Sequence, residues 1–296
     1  MRVYTIIFLA FLALCCKHAA PEKNYLKTDT ITKEADTIFK SKFLDEDWEE
    51  KGNRLRDTNY QYLNRILEKV LLTAEQHIGD NLFNGTIDTN IYHFKNMFAT
   101  FQYGNIFSSD RKHLLVKRFI NEYGGYEISL FTDIYILANN RFKKLVADTA
   151  DIGYTEDTLM DINLDGFKDF MVSQYSGAGC CPRDEKTAFL YNSKTGDFET
   201  VGFFNPEFDN KNRLIYEMDY GSPGLVSIDK SKWSGLSKVK IESIAPTHFQ
   251  EMIDSFVKPY CFTKTIYPGE KAKIIKDVPS EYKKLKNYEY FIQYQN

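Results

Sequence analysis

The chain has little of what most recognisable active sites are made from. It holds five histidines, five cysteines, eight prolines and two tryptophans in 296 residues. His77, His93, His113 and His248 are scattered, and no HExxH pair exists, which excludes a helical zinc-protease site of that type. Gly177-Ala178-Gly179 lacks the glycine pattern of a dinucleotide-binding turn. Gly221-Ser222-Pro223-Gly224 only half resembles a nucleophile elbow and reads as a turn. Acidic residues are plentiful, yet no spacing selects a pair for glycoside hydrolysis. The formal charge is -3, and no basic cluster marks a nucleic-acid surface. After the N-terminus no apolar run approaches the length of a membrane span. Repeats and low-complexity tracts are also missing.

What is present begins with an export signal. Met1-Arg2 supplies a positive start, and Val3 to Leu14 is nearly unbroken apolar sequence, too short for a stable span. Cys15 and Cys16 follow, and the chain turns polar after Lys17. Leu12-Ala13-Leu14-Cys15-Cys16 resembles a bacterial lipobox, in which a cysteine becomes the acylated first residue of the mature protein. Cys16 has the smaller residue before it; Cys15 has the better apolar residue three places upstream. Simple secretion with cleavage near Ala19-Ala20 is the competing reading. Acyl chains contribute about 0.8 kcal/mol per buried methylene, so several of them hold a protein on a bilayer.

The mature chain is rich in Phe (23) and Tyr (20), which suit pleated, half-buried surfaces. Residues 17–50 read as a polar tether, with Asp45 to Glu50 the solvated start of a helix. From Asp57 to His77, Tyr60, Leu63, Ile66, Leu67, Val70, Leu71 and Ala74 recur at three- and four-residue spacing, which predicts one amphipathic helix. Beyond it the period changes to two. Strands are expected at 114–120, 126–137, 141–146, 170–175, 187–191, 198–201, 213–217, 224–229 and 238–243. Asn139-Asn140 makes a tight turn, because Asn tolerates positive φ. Thr247 and Gln250 have capping-box spacing before a short helix that Pro259 stops, and Pro268-Gly269 turns between two late strands. The expectation is a mainly β fold with a few helices: an antiparallel meander, sandwich or partial β-propeller with an N-terminal amphipathic helix. Its segments are a signal peptide (1–16), a tether (17–50), a helix with strands (51–148), a β domain (149–246), and a C-terminal helix with strands (247–296).

The most specific motif is Asp161-Ile162-Asn163-Leu164-Asp165-Gly166-Phe167-Lys168-Asp169. Side-chain oxygens fall at positions one, three, five and nine, and Gly166 permits a sharp turn at six. The Phe167 carbonyl can supply the seventh-position ligand. Calcium takes six to eight hard oxygens, which this set plus water provides. Val172 occupies position twelve, where an EF-hand needs glutamate, so the motif is no EF-hand. Three aspartates so close together favour a divalent ion. An Asx-rich turn without metal is the plainer reading. A metal here could also serve only to staple the loop.

The loop is followed by Asp169-Phe170-Met171-Val172, the turn Ser176 to Pro182, Phe189-Leu190-Tyr191, Thr195-Gly196-Asp197-Phe198, Asn205-Pro206-Glu207-Phe208-Asp209, and a Trp-containing strand near Trp233. This ordered set, over residues 150 to 245, resembles a group of bacterial envelope proteins with an incomplete β-propeller-like fold. The loop is similar to those of integrin-type propellers. Some members of the group inhibit peptidoglycan-cleaving enzymes, so the resemblance implies a non-catalytic binding or inhibitory role. Its partner would be an envelope protein or a peptidoglycan-related ligand. An envelope hydrolase with an unrecognised site is the alternative. The implied location is the cell envelope, facing the periplasm on a lipid anchor, with surface display also open. Cys180, Cys181 and Cys261 are disulfide candidates in such an oxidising compartment. An adjacent-cysteine bond is strained, and Cys261 joined to either is the other pairing.

Overall fold

A computed structural model describes residues 48–89, 95–122, 127–150, 153–175, 183–220, 226–247, 261–269 and 271–292. Helix α1 spans Trp48–Gln76. Residues Asp57–Asn296 form one compact unit, built of three antiparallel sheets, each a simple meander in chain order. The first sheet holds β1 (Leu82–Thr89), β2 (Lys95–Gly104), β3 (His113–Glu122), β4 (Glu127–Ala138) and β5 (Arg141–Ala150). The second holds β6 (Tyr154–Met160), β7 (Asp169–Tyr175), β8 (Asp184–Tyr191) and β9 (Phe198–Phe204). The third runs through β10 (Glu207–Asp209), β11 (Leu214–Tyr220), β12 (Val226–Ser234), β13 (Ser237–Pro246), β14 (Phe262–Ile266) and β15 (Lys271–Ile275). A short helix α2 (Tyr288–Ile292) closes the described chain.

The helix and the first sheet meet because their periods match. Leu63, Ile66, Val70 and Ala74 form one buried stripe on α1. Met97, Ala99, Phe101 and Tyr103 alternate along β2 and face it, joined by Leu114 and Val116 of β3. A fully buried Leu or Phe contributes about 1.5–3 kcal/mol, so this contact outweighs the helix's own weak propensity. The last turn of α1 has no basic side chain. Lys112 arrives from the sheet instead and donates to the carbonyls of Ile78 (3.1 Å) and Asp80 (2.8 Å), with Tyr103 Oη donating to Ile78 at 2.8 Å. Arg118 ties helix to sheet a second time. It pairs with buried Asp133 at 2.6 Å and donates to the Leu63 carbonyl at 3.2 Å.

The second sheet is covered on both faces. Phe170, Val172, Phe189 and Tyr191 pack toward Leu115, Phe119, Leu130 and Ile134 of the first sheet. Their neighbours Met171, Ala188, Leu190 and Phe203 pack the other way, with Ile215 of the third sheet. Two-sided burial explains why β7 and β8 carry near-continuous apolar runs. Lys238 of β13 fastens the second junction, donating to both Glu217 oxygens and to the Gly202 carbonyl, each at 2.7 Å.

Strands fall where alternation placed them, and most are longer. The Asn139-Asn140 hairpin joins β4 to β5 with φ of 50° and 57°. Alternation in the sequence does not predict β1, β2, β6 or β10. Sheet boundaries fall at 150/154 and 204/207, so the chain after 246 continues the third sheet through β14 and β15. The helix expected after Thr247 lies outside the described residues. Thr247 itself lies inside them, its Oγ1 3.0 Å from that of Thr263.

Candidate functional site

The 161–169 loop links β6 to β7, between the first two strands of the doubly covered sheet. Its chain coils around Asp161. Asp161 Oδ1 accepts the Asp165 N–H (3.0 Å), and Oδ2 accepts the Gly166 N–H (2.8 Å). The coil needs left-handed backbone at Leu164 (φ 62°) and Gly166 (φ 95°). Leucine accepts that conformation at a cost of about 1–2 kcal/mol. Arg213, itself at φ 56°, helps hold it by donating to the carbonyls of Leu164 (3.2 Å) and Asn163 (3.1 Å).

The structure brings Asp161, Asn163, Asp165 and Phe167 into this one turn. Asp165 Oδ1 accepts the Phe167 N–H at 2.9 Å, and Asp165 Oδ2 accepts from the Asn163 amide at 3.0 Å. Asp165 is exposed, Asp161 half-buried, and Asn163 buried. Asp169 plays a different part from its neighbours. It is fully buried, its Oδ2 takes the Ile162 N–H (2.9 Å), and its Oδ1 takes the Tyr191 N–H of β8 (2.8 Å). Burial pushes its carboxyl up to about 6, although those N–H groups pull it down. Asp169 therefore pins the loop to the sheet. Among the described residues, no group of three His, Cys, Asp or Glu side chains is gathered as a metal site. Much of the crowding of negative charge expected from the sequence is relieved by backbone N–H groups.

A second feature lies where the first two sheets part. A groove of about 550 Å³ is lined by Asn84, Thr86, Thr100, Gln102 and Lys117 of the first sheet and by Asp157, Leu159 and Phe170 of the second, among others. Register puts Asn84 opposite Gln102, Thr86 opposite Thr100, and Thr100 opposite Lys117. Lys117 donates to both Asp157 oxygens (2.9 and 3.0 Å), and Tyr154 Oη donates to Asp157 at 2.7 Å. No motif marked these residues. The available signal was polar residues alternating with apolar ones along β1 and β2.

His113 opens β3 inside an aromatic cage, with ring centroids of Phe107, Tyr191 and Phe198 at 5.2, 5.3 and 6.3 Å. It is fully buried, and apart from the Arg111 backbone neither ring nitrogen has a hydrogen-bond partner among the described residues. Burial holds its pKa down at about 4.

The remaining sequence-predicted sites are dispersed. Cys15, Cys16, Cys180 and Cys181 lie outside the described residues. Cys261 is half-buried and forms no disulfide among the described residues. No described helix is long and apolar enough to cross a membrane.

The chain matches no model of a protein family, and no curated protein matches it. Among solved structures it is similar to a Xanthomonas type IV secretion system related protein, at 12% identity and a TM-score of 0.31. That likeness covers 65% of this chain and 94% of the other.

Proposed function

We propose that this chain is a lipid-anchored, periplasm-facing protein of a bacterial cell envelope, with a non-catalytic binding or inhibitory role. Its partner is an envelope protein or a peptidoglycan-related ligand, and its 161–169 loop holds calcium. The fold reading that goes with this is an incomplete propeller, supported by three meanders following one another in chain order.

The observation that carries the reading is the coil of the loop around Asp161, with left-handed turns at Leu164 and Gly166. A loop wound this tightly keeps Asp161, Asn163 and Asp165 within one turn. The donor chemistry fits a hard cation: the carboxylates of Asp161 and Asp165, the Asn163 amide oxygen, the Phe167 carbonyl and water. Asp161 and Asp169 each have both oxygens on backbone N–H groups and would add ligands only through their second lone pairs, and Asp169 also anchors the loop to the sheet. Bound calcium would neutralise the loop and fix its shape. Lipidation rests on the apolar run that ends at Cys15-Cys16.

Calorimetric titration of metal-stripped protein, run beside Asp165→Ala, tests the calcium site. Calcium should release heat and raise the melting temperature, and the variant should show neither. At a hundredfold excess over Kd the gain is about 2.7 kcal/mol. Magnesium should substitute poorly, because it demands shorter octahedral contacts and gives up water reluctantly. Absence of both heat and thermal shift at millimolar calcium would make the loop a turn and end the proposal.

A further inference from the structure

We infer that one face of the third sheet, the face that carries Ile266 and the lysines of residues 271–286, lies against an anionic lipid bilayer. The inference rests on the anchored location proposed above and does not depend on calcium.

Charge is unevenly spread along the chain. Residues 262–292 hold seven lysines against four acidic residues, although the whole chain stands at -3. Lys271, Lys273, Lys276, Lys283, Lys284 and Lys286 are all exposed. None of the six has a carboxylate in ion-pair reach among the described residues, whereas Lys117, Lys144, Lys230, Lys238 and Lys264 each reach one at 2.6 to 2.9 Å. Asp277 and Glu289 are exposed in the same segment, and Glu281 is held by Lys230. Register then places the lysines. Lys271 stands opposite Ile266, Lys273 opposite Lys264, and Ile275 opposite Phe262. Ile275 and Phe262 pack with Tyr282 and Leu285, so this is the face that the C-terminal turn covers. Ile266 also stands opposite Glu242, whose carboxylate accepts from Tyr282 Oη. The turn Tyr282–Lys284 is therefore seated beside Ile266. Tyr282 and Leu285 are buried against the sheet, which leaves Lys283, Lys284 and Lys286 on the outer side. The cross-strand row Lys271, Ile266, Glu242, Lys230 and Tyr216 runs across five strands, about 20 Å at the usual strand spacing.

Two plainer explanations fall short. Lysines on an edge strand discourage pairing with another chain, which accounts for Lys271 and Lys273 of β15. It does not account for Lys283, Lys284 and Lys286, which belong to no strand. Solvation accounts for the lysines but not for Ile266, 48% exposed on the same face. An anionic bilayer accommodates both: lysines meet the headgroups, and an apolar side chain enters the boundary beneath them. A soluble polyanion would use the lysines and leave Ile266 in water. Each lysine near an anionic surface strengthens binding about fivefold. Unanchored, the contact should be weaker than that of one myristoyl chain, about 10⁴ M⁻¹. The face therefore orients the anchored chain and does not hold it on the membrane alone. Ile274 supplies an internal control. It is 63% exposed, more than Ile266, but it stands opposite Thr263 and faces the other side of the sheet.

The test is co-sedimentation of the chain from Lys17 onward, made without acyl groups, with vesicles of phosphatidylcholine alone or with about 30% phosphatidylglycerol. The chain should bind the anionic vesicles at about 50 mM salt, leave them at about 500 mM, and ignore the neutral ones. The pair Lys271→Gln with Lys273→Gln, and the pair Lys283→Gln with Lys284→Gln, should each weaken binding about tenfold or more. Ile266→Ser should weaken it about threefold, and Ile274→Ser should not. All these side chains are exposed or half-exposed, so the variants should fold, and unchanged melting temperatures check that they do. Equal binding to both vesicles, no loss at high salt, or undiminished binding in either lysine pair would overturn the inference. So would Ile274→Ser matching Ile266→Ser, or binding to soluble dextran sulfate without binding to anionic vesicles. Acylation is read separately from the mass of the cellular protein, so failure of the anchor and failure of this face remain distinguishable.

Discussion

His113 gives the clearest quantitative test of the packing. The drop in its pKa from 6.5 to about 4 is about 3 kcal/mol of preference for the neutral ring, at about 1.4 kcal/mol per unit of pKa. The folded pKa lies below the unfolded one. Above about pH 6.5 both states hold a neutral ring, and the term is silent. As pH falls from 6.5 toward 4, the unfolded chain takes up a proton that the folded chain refuses, so stability drops. By pH 4.5 about 2.5 kcal/mol should be lost. Asp169 acts in the opposite sense. Its carboxyl is pushed up to about 6, so acidification relieves a buried charge and adds stability over part of the same window. Total stability against pH therefore mixes the two. The comparison of wild type with His113→Leu separates them, because both proteins keep Asp169. Urea unfolding of each, from about pH 7.5 to 4.5, should show the variant gaining about 2.5 kcal/mol on wild type as pH falls. At the upper end the two should be close, since leucine loses edge contacts with Phe107 and Tyr191 but also removes two buried polar nitrogens. A difference that stays flat across this range would refute the claim that the ring is buried and held neutral in the native state.

Asp169→Ala should cost about 3–5 kcal/mol with or without calcium, because it strips two N–H groups of their acceptor inside the fold; chemical denaturation in chelator checks it, and a loss confined to calcium-loaded protein would contradict the anchoring role. Arg118→Ala should cost about 3–5 kcal/mol by leaving Asp133 buried beside only Lys144, and thermal unfolding should show it. Replacing Cys15 and Cys16 together with Ser should move the protein out of the membrane fraction and remove the acyl mass, read by fractionation and mass spectrometry; retention at unchanged mass would exclude acylation there.

Much of the architecture was legible because local periodicity and burial agree. The spacing of Leu63, Ile66, Val70 and Ala74 identifies the buried stripe of α1 without any tertiary knowledge. Asn139-Asn140 marks its hairpin because few residues accept positive φ twice in succession. The coil from Asp161 to Asp169 is legible as a loop, since Asx side chains capture nearby N–H groups. Strands β1 and β2 went unread although Met97, Ala99, Phe101 and Tyr103 alternate; β2 follows Asn- and Gly-containing sequence that also reads as turn. Edge strand β6, Tyr-Thr-Glu-Asp-Thr-Leu-Met, carries too few apolar residues to announce itself.

Other features belong to the tertiary structure alone, because they join residues far apart in the chain. Nothing local says that Asp169 spends its two oxygens on Ile162 and on Tyr191 of another strand, or that Arg213 reaches back to the carbonyls of Asn163 and Leu164. The sequence alone determined which residues could turn, coil and alternate, since those preferences live in a few adjacent dihedrals. Only the packing of one sheet on another decided which carboxylate became buried, which histidine lost its proton, and where two sheets part to leave a groove. Desolvation and long-range hydrogen bonds depend on what stands opposite a residue, and adjacent sequence does not carry that information.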